Sequence, residues 1–384
     1  MTCPTNSTVY SEILEHLLSE GSGGLGRVVE VLLNEAMKLE RSRHLMAQPY
    51  ERTDERQGHS NGFKNKQVRT KVGELSVSVP QVRDSSFYPS SLEKGVRTDR
   101  ALLLALAEMY VQGTSTRKVS KIVEELCGFE VNSTEVSRAS KLLDEELELW
   151  RHRALGRVKY LYLDARYEKV RHGGSVVDCA VLVACGVVDS GHRQLLGVSV
   201  SLSEHESHWR RFMESLGQRG MHGIELIVSD AHSGLKAARK AVFPGIRWQR
   251  CQFHLQQNAQ SYVPRQPMKK TVATKLRAIF NAEDKNEADR LSKMAVEFYA
   301  ESAPKLSSWM EENIHEGLTV FDFPEEHRKK LRTTNMLERV NREIKRRTRV
   351  ATLFPNEASC CRLVTAILVE ISEEWETGRR YLKL

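Results

Sequence analysis

Between residues 158 and 251 the chain switches from strand-like to helical hydrophobic spacing and back, and this stretch constrains the fold more than any other. Residues 158–170, 179–188 and 194–202 are rich in β-branched and apolar side chains, and the last two runs are joined by the turn sequence Asp189-Ser-Gly-His192. A helical pattern at 206–216 then carries Trp209, Phe212, Met213 and Leu216 inward. Strand signals follow at 224–228 and 246–251, with a helix at 234–242 between them. Three strands followed by helix, strand, helix and strand predict a mixed α/β layer.

Residues 1–95 read as a small accessory region. Helical patterns at 9–18 and 26–43 precede a polar, basic stretch at 51–71, after which Leu75, Val77 and Val79 alternate with serines as in a half-buried strand. Residues 101–107 are the most apolar run, far short of the ~20 needed to span a bilayer, so they predict a core helix and no membrane partner. Within 96–153 two helices flank a glycine turn. Val119, Ile122, Val123 and Leu126 repeat at helical spacing, Cys127-Gly128 stops that helix, and Asn132-Ser-Thr-Glu135 offers a capping box for a second carrying Val136, Leu142, Leu143 and Leu147 inward. The pair resembles a helix-turn-helix whose second helix would offer Ser137, Arg138 and Lys141 to DNA; an ordinary helical hairpin accounts for the same pattern. Residues 154–254 form the first part of the core. Residues 255–331 read as a helical insertion, with Val272, Leu276, Ile279 and Phe280 and then Leu291, Met294, Val296 and Phe298 at helical spacing, and 332–384 return to the core.

Three acids occupy informative positions. Asp164 follows the strand-like Tyr160-Leu-Tyr-Leu163, where the bland reading is a bridge to Arg166 or Arg171. Asp230 ends Ile227-Val-Ser229 at a strand-to-helix edge, where α/β sheets place ligands and where an aspartate also caps helices. On the third segment, at about 100° per residue, Leu337, Val340 and Ile344 form one stripe, while Glu338, Arg342, Lys345 and Arg349 form another. Residues 332–349 hold seven Lys or Arg against two Glu, more than a solvated helix needs, and Arg339, Arg342, Lys345, Arg346, Arg347 and Arg349 are candidate phosphate contacts. Three carboxylates are the minimum that metal-assisted phosphodiester chemistry asks for, with two Mg²⁺ ions expected and Mn²⁺ as an alternative.

A formal charge of +8 favours polyanionic partners. The seven cysteines lack paired C-x-x-C spacing, which argues against a disulfide framework and a four-ligand zinc site. Cys251 and His254 lack two further ligands, so His254 is read as a contact to the carboxylates or to the DNA backbone, or as a core histidine. Gly-x-Ser-x-Gly is missing and Cys360-Cys361 has no evident base, so covalent nucleophilic chemistry has no support. Residues 1–20 are a mixed polar stretch, for which a cytoplasmic, nucleoid-associated location is expected.

From about Gly58 onward the chain resembles the mutator-type transposases of bacterial insertion sequences. The resemblance rests on Leu163-Asp-Ala-Arg-Tyr-Glu-Lys-Val-Arg171, on residues 220–230 with His232 and Gly234, and on Trp248-Gln-Arg-Cys251 with His254. It rests also on the segment from Arg332-Thr-Thr-Asn335 to Arg349, and on Phe354-Pro-Asn356 with Arg362-Leu-Val364 and Trp375. It implies a DDE enzyme with a ribonuclease-H-like mixed sheet flanked by helices, in keeping with the order of the strands, interrupted by an all-α insertion. It further implies Asp164, Asp230 and Glu338 as the metal-binding triad, Lys345 near the scissile phosphate, recognition of terminal inverted repeats by the N-terminal region, and a dimer or higher multimer on DNA. One departure is Gln257-Asn258, where the family usually has Arg-Asn. A catalytically silent DNA-binding protein derived from such an enzyme, and a ribonuclease-H-like nuclease, are the alternative readings.

Overall fold

The computed structural model describes residues 6–20, 24–83, 87–92, 98, 100–349 and 353–384. It divides into two compact units, Met1–Leu143 and Asp144–Leu384.

The first unit contains α1 (Asn6–Glu20), α2 (Leu25–Leu45), the antiparallel hairpin β1 (Ser60–Thr70) and β2 (Gly73–Val82), and then α3 (Arg100–Val111), α4 (Thr116–Cys127) and α5 (Ser133–Ala139). The alternation at Leu75, Val77 and Val79 buries one face of β2 with Met37 of α2 and Val68 of β1. Helices α3 to α5 enclose a second core of Leu102, Leu106, Val119, Val123 and Val136. Ser115 caps α4, and Gly128, with a φ of 72°, ends it in the left-handed region. The capping box of Asn132 and Glu135 opens α5.

Two expectations are corrected in this unit. The polar stretch at 51–71 contains β1, which is hidden because its first six residues are exposed and only Val68 is buried. The second helix of the expected pair ends after seven residues and passes into a 3₁₀ turn, Ser140–Leu143. Leu126 is exposed, and the side chains of Ser137 and Leu142 lie outside the described residues.

The second unit opens with α6 (Asp144–His152), followed by β3 (Val158–His172), β4 (Ser175–Val188), β5 (Arg193–Ser201), α7 (Glu206–Gln218), β6 (Leu226–Ser229), α8 (Ser233–Val242) and β7 (Arg247–Arg250). The strands form one mixed sheet in the order β5-β4-β3-β6-β7. β3, β4 and β5 pair antiparallel, and β6 and β7 continue parallel from β3. The period of two along β3 sorts its side chains. Leu161 and Leu163 pack with Trp209, Phe212 and Met213 of α7 and with Leu235 and Ala238 of α8. Each such fully buried large side chain contributes about 1.5–3 kcal/mol. Tyr160, Tyr162 and Asp164 project to the opposite face.

That opposite face is covered after the helical segment of α9 (Gln252–Ser261), α10 (Met268–Phe280), α11 (Lys285–Tyr299), α12 (Pro304–Asn313) and α13 (Glu325–Leu331), which leads to α14 (Asn335–Thr348) and α15 (Glu357–Thr377). Tyr160 Oη bonds His327 Nδ1 at 2.9 Å, and Tyr162 Oη donates to the Lys330 carbonyl at 3.2 Å. The segment leaves and returns at one place, where the Gln252 amide donates to the Arg332 carbonyl at 2.9 Å. Buried Gln249 of β7 pins it, donating to Gly317 O and accepting from Val320 N. On α11 the buried side chains are Ala288, Ala295 and Tyr299, whereas Met294 and Phe298, expected inward, are exposed. No helix among the described residues is long and apolar enough to cross a membrane, and the six described cysteines are free.

Candidate active site

Three elements carry the three acids. Asp164 sits mid-strand on β3 opposite Val183, Asp230 immediately follows β6, and Glu338 lies in the first turn of α14. The buried stripe Met336, Leu337, Val340 and Ile344 holds α14 in place. Side chains of β3 at alternate positions then meet it. Asn341 Nδ2 donates to Asp164 Oδ2 at 2.9 Å, Arg166 donates to the Asn341 carbonyl, and Thr348 Oγ1 donates to Glu168 Oε1 at 3.1 Å.

The electrostatics distinguish this group from surface acids. Asp164 is 7% exposed, and burial first, then the Asp230 and Glu338 carboxylates, push its pKa up to about 7 against the pull of His254 and the Ala165 amide. Arg166 pairs with Glu168 at 2.6 Å, so the bland reading of Asp164 as its partner does not hold. Asp230 closes a turn by accepting the His232 amide at 3.1 Å, and His232, not Asp230, is the N-cap residue of α8. Glu338 Oε1 is buried and accepts no hydrogen bond. His254 is half-buried on α9. The Cys251 thiol, then Asp164 and Asp230, hold its pKa up at about 9 despite the burial penalty. Cys251 itself accepts from Thr334 N and Oγ1 at 3.4 Å, linking the start of α9 to the start of α14.

The expected cations fall into two groups. Arg339, Arg342, Lys345 and Arg349 are exposed. Arg347 is 5% exposed and bonds Glu343 at 2.7 Å and Glu370 at 2.8 Å, which makes it a clamp between α14 and α15 rather than a phosphate contact. Arg346 is exposed, but its guanidinium is forked onto Glu343. On α5 and the turn after it, Arg138 and Lys141 are exposed.

Two residues were missed by sequence reasoning. Asn341, three places after Glu338 on the same helix, could have been found by its spacing. Glu204 follows β5, is 9% exposed, and approaches His232 Nδ1 at 3.7 Å. Its loop lies so close to α8 that a Cβ on Gly234 would meet the Glu204 carbonyl at 2.1 Å. No periodicity marks a single loop acid.

Whether a divalent ion suits this place depends on the donors. They are carboxylate oxygens, one of them without a partner, and Mg²⁺ needs only one or two carboxylates with waters and substrate phosphates completing its shell. Among the described residues no three His, Cys, Asp or Glu side chains are gathered closely enough to hold an ion by themselves. The oxygen donors fit Mg²⁺ in chemistry.

The family model described as Transposase, Mutator family matches residues 3–378. The chain belongs to this family. The transposase is 58% identical over 368 residues to the transposase for insertion sequence element IS406 of Burkholderia multivorans, covering 95% of each chain. It is 42% identical to that for ISRM5 of Rhizobium meliloti, covering 99% of this chain and 96% of the relative. It is 35% identical to that for IS256 in transposon Tn4001 of Staphylococcus aureus, covering 92% of each. It is a DNA-processing enzyme of an insertion sequence, and DNA is its partner.

Proposed function

We propose that this transposase binds the terminal inverted repeats of its element, cleaves the strand at their ends, and transfers the freed 3′-hydroxyl into target DNA, with Asp164, Asp230 and Glu338 as carboxylate ligands of Mg²⁺. The observation that carries the reading is Asp164, a carboxyl held by Asn341 whose pKa is raised by burial first and then by two neighbouring carboxylates on separate elements. A buried acid perturbed in this way beside further carboxylates is a mark of a functional site. Bound there, two ions, or Mn²⁺ in their place, would activate the attacking water or hydroxyl and stabilise the leaving oxygen.

The chain's own residues supply the rest. Asn341 orients Asp164, the Asp230 turn is braced by the Glu204 loop and Gly234, and His254 stands as a cation beside two of the acids. Arg342, Lys345 and Arg349 neutralise phosphates along the line of Glu338, and Arg339 does so beside it. The strand order β5-β4-β3-β6-β7 supports the ribonuclease-H-like reading of the sheet, with α9 to α13 as its insertion. The first unit is the DNA-binding region, with Arg138 and Lys141 as contacts, and the protein works as a dimer or larger assembly on paired ends, in the cytoplasm at the nucleoid.

The test is incubation of labelled terminal DNA with wild type and with Asp164→Asn and Glu338→Gln variants, in Mg²⁺ or EDTA. Mg²⁺-dependent nicking and strand joining, lost in both variants while terminal DNA is still bound, is the expected result. Cleavage retained by Asp164→Asn, or wild-type binding without cleavage in any metal, would sink the assignment.

A further inference from the structure

One cleft of the second unit is, apart from Arg339 at its edge, not used by the chemistry above. It has a volume of about 380 Å³ and lies between α14, α15 and the residues after α15, lined by Arg193, Arg339, Glu343, Glu374, Trp375 and Arg379. Trp375 belongs to the motifs that carry the family resemblance, yet no step of the proposed reaction uses it.

The chemistry of the cleft is specific. The Arg193 guanidinium lies over the Trp375 ring at 4.1 Å and over the Tyr381 ring at 4.8 Å, a layered arrangement of planar groups. Its Nε is buried and has no hydrogen-bond partner. Arg339 and Arg379 add two exposed cations at the rim, while Glu343 has its charge matched by Arg346 and Arg347. Phosphates on the outside of a duplex need only exposed cations. A half-buried tryptophan layered on an arginine, beside further cations in a concave site, suits a ligand that is both flat and anionic. The volume accommodates a single nucleotide. Arg339 is also the residue next to Glu338 on α14, so the cleft adjoins the helix that carries one of the proposed active-site acids.

We propose that the cleft binds one unpaired nucleotide of the DNA substrate, its base stacked on the Trp375 and Arg193 layer and its phosphate held by Arg339 and Arg379. The proposal rests on the DNA-transposase reading and adds a specificity element to it: the protein distinguishes an opened or frayed end from intact duplex. Base stacking of this kind changes affinity by roughly 5- to 150-fold per base.

The experiment measures affinity in EDTA for a blunt terminal duplex and for the same duplex carrying a short unpaired strand, and takes the ratio of the two. Wild type is expected to prefer the unpaired strand by about tenfold or more. Trp375→Ala removes the preference while binding blunt duplex as before, and Trp375→Phe keeps most of it. Absence of the preference in wild type, or its persistence in Trp375→Ala, overturns the proposal. If Trp375→Ala does not fold, the exposed Arg379→Glu variant decides: a reduced ratio supports the site and an unchanged ratio overturns it. Glu338→Gln keeps the preference, so loss of nicking in that variant bears on the active site alone.

Discussion

Helices α5 and α14 both carry exposed cations with a capped or buried start, yet they are built in opposite ways. α5 has seven residues, opens with a capping box, and gives way at once to a 3₁₀ turn. α14 has fourteen residues, buries Met336, Leu337, Val340 and Ile344, and is joined to β3 through Asn341 and Thr348 and to α15 through Arg347. A cap starts a helix, but long-range contacts decide how far it continues and which of its charges are left for a partner. The Glu135 carboxylate of α5 is taken up by its own cap, whereas Glu338 of α14 keeps a buried oxygen without a hydrogen bond.

The largest expected effect is where α14 meets the sheet. In the ion-free protein the Asp164 carboxyl, at about 7, retains a proton that the unfolded chain releases at about pH 3.9. The folded state therefore has its full advantage from this group below about pH 4 and loses it as pH rises through 7, by up to about 4 kcal/mol. Urea unfolding in EDTA should show stability falling from pH 5 to pH 8 in wild type and a flatter profile in Asp164→Asn. Mg²⁺ added at pH 8 should stabilise wild type only. An identical pH slope in both proteins would remove Asp164 from this role.

Next comes the clamp. Arg347→Met leaves Glu343 and Glu370 without their shared cation and is expected to cost about 3 kcal/mol, whereas Arg138→Met on α5 should stay within about 0.5 kcal/mol. Equal losses in denaturant midpoint would erase the distinction between the two helices. The smallest effect on stability is expected at the outward cations. Arg342→Gln and Lys345→Gln should leave the melting temperature unchanged while each lowers the salt dependence of DNA binding by about one phosphate contact. An unchanged salt slope would place the DNA on another face.

Much of the second unit is legible in the sequence because its core strands follow simple spacing. β3 to β7 lie close to where alternation and turns place them, and the stripe Leu337, Val340 and Ile344 is buried as read. Arg347 continues that stripe, at the same face as Val340 and Ile344, so its burial is written in the spacing and obscured by its charge. β1 escapes notice because its outward positions are nearly all polar. The inward face of α11 is misjudged because alanines at 288 and 295 give little contrast against Met294 and Phe298, which the fold leaves outside. Glu204 depends on contacts across a long stretch of chain, which no local pattern records, whereas Asn341 shares a helix with Glu338 and its spacing carries a signal.

The closing contact between Gln252 and Arg332 has a consequence in time as well as space. Asp164 and Asp230 leave the ribosome about a hundred residues or more before Glu338, an interval of roughly 5–20 s after Asp230 at ordinary elongation rates. During that interval the growing chain holds β3, β6 and two of the three acids but has no α14 to cover them. The proposed site is thus completed only once α14 has emerged, and a product that stops within α9 to α13 holds all five strands of the sheet and only two of the three acids.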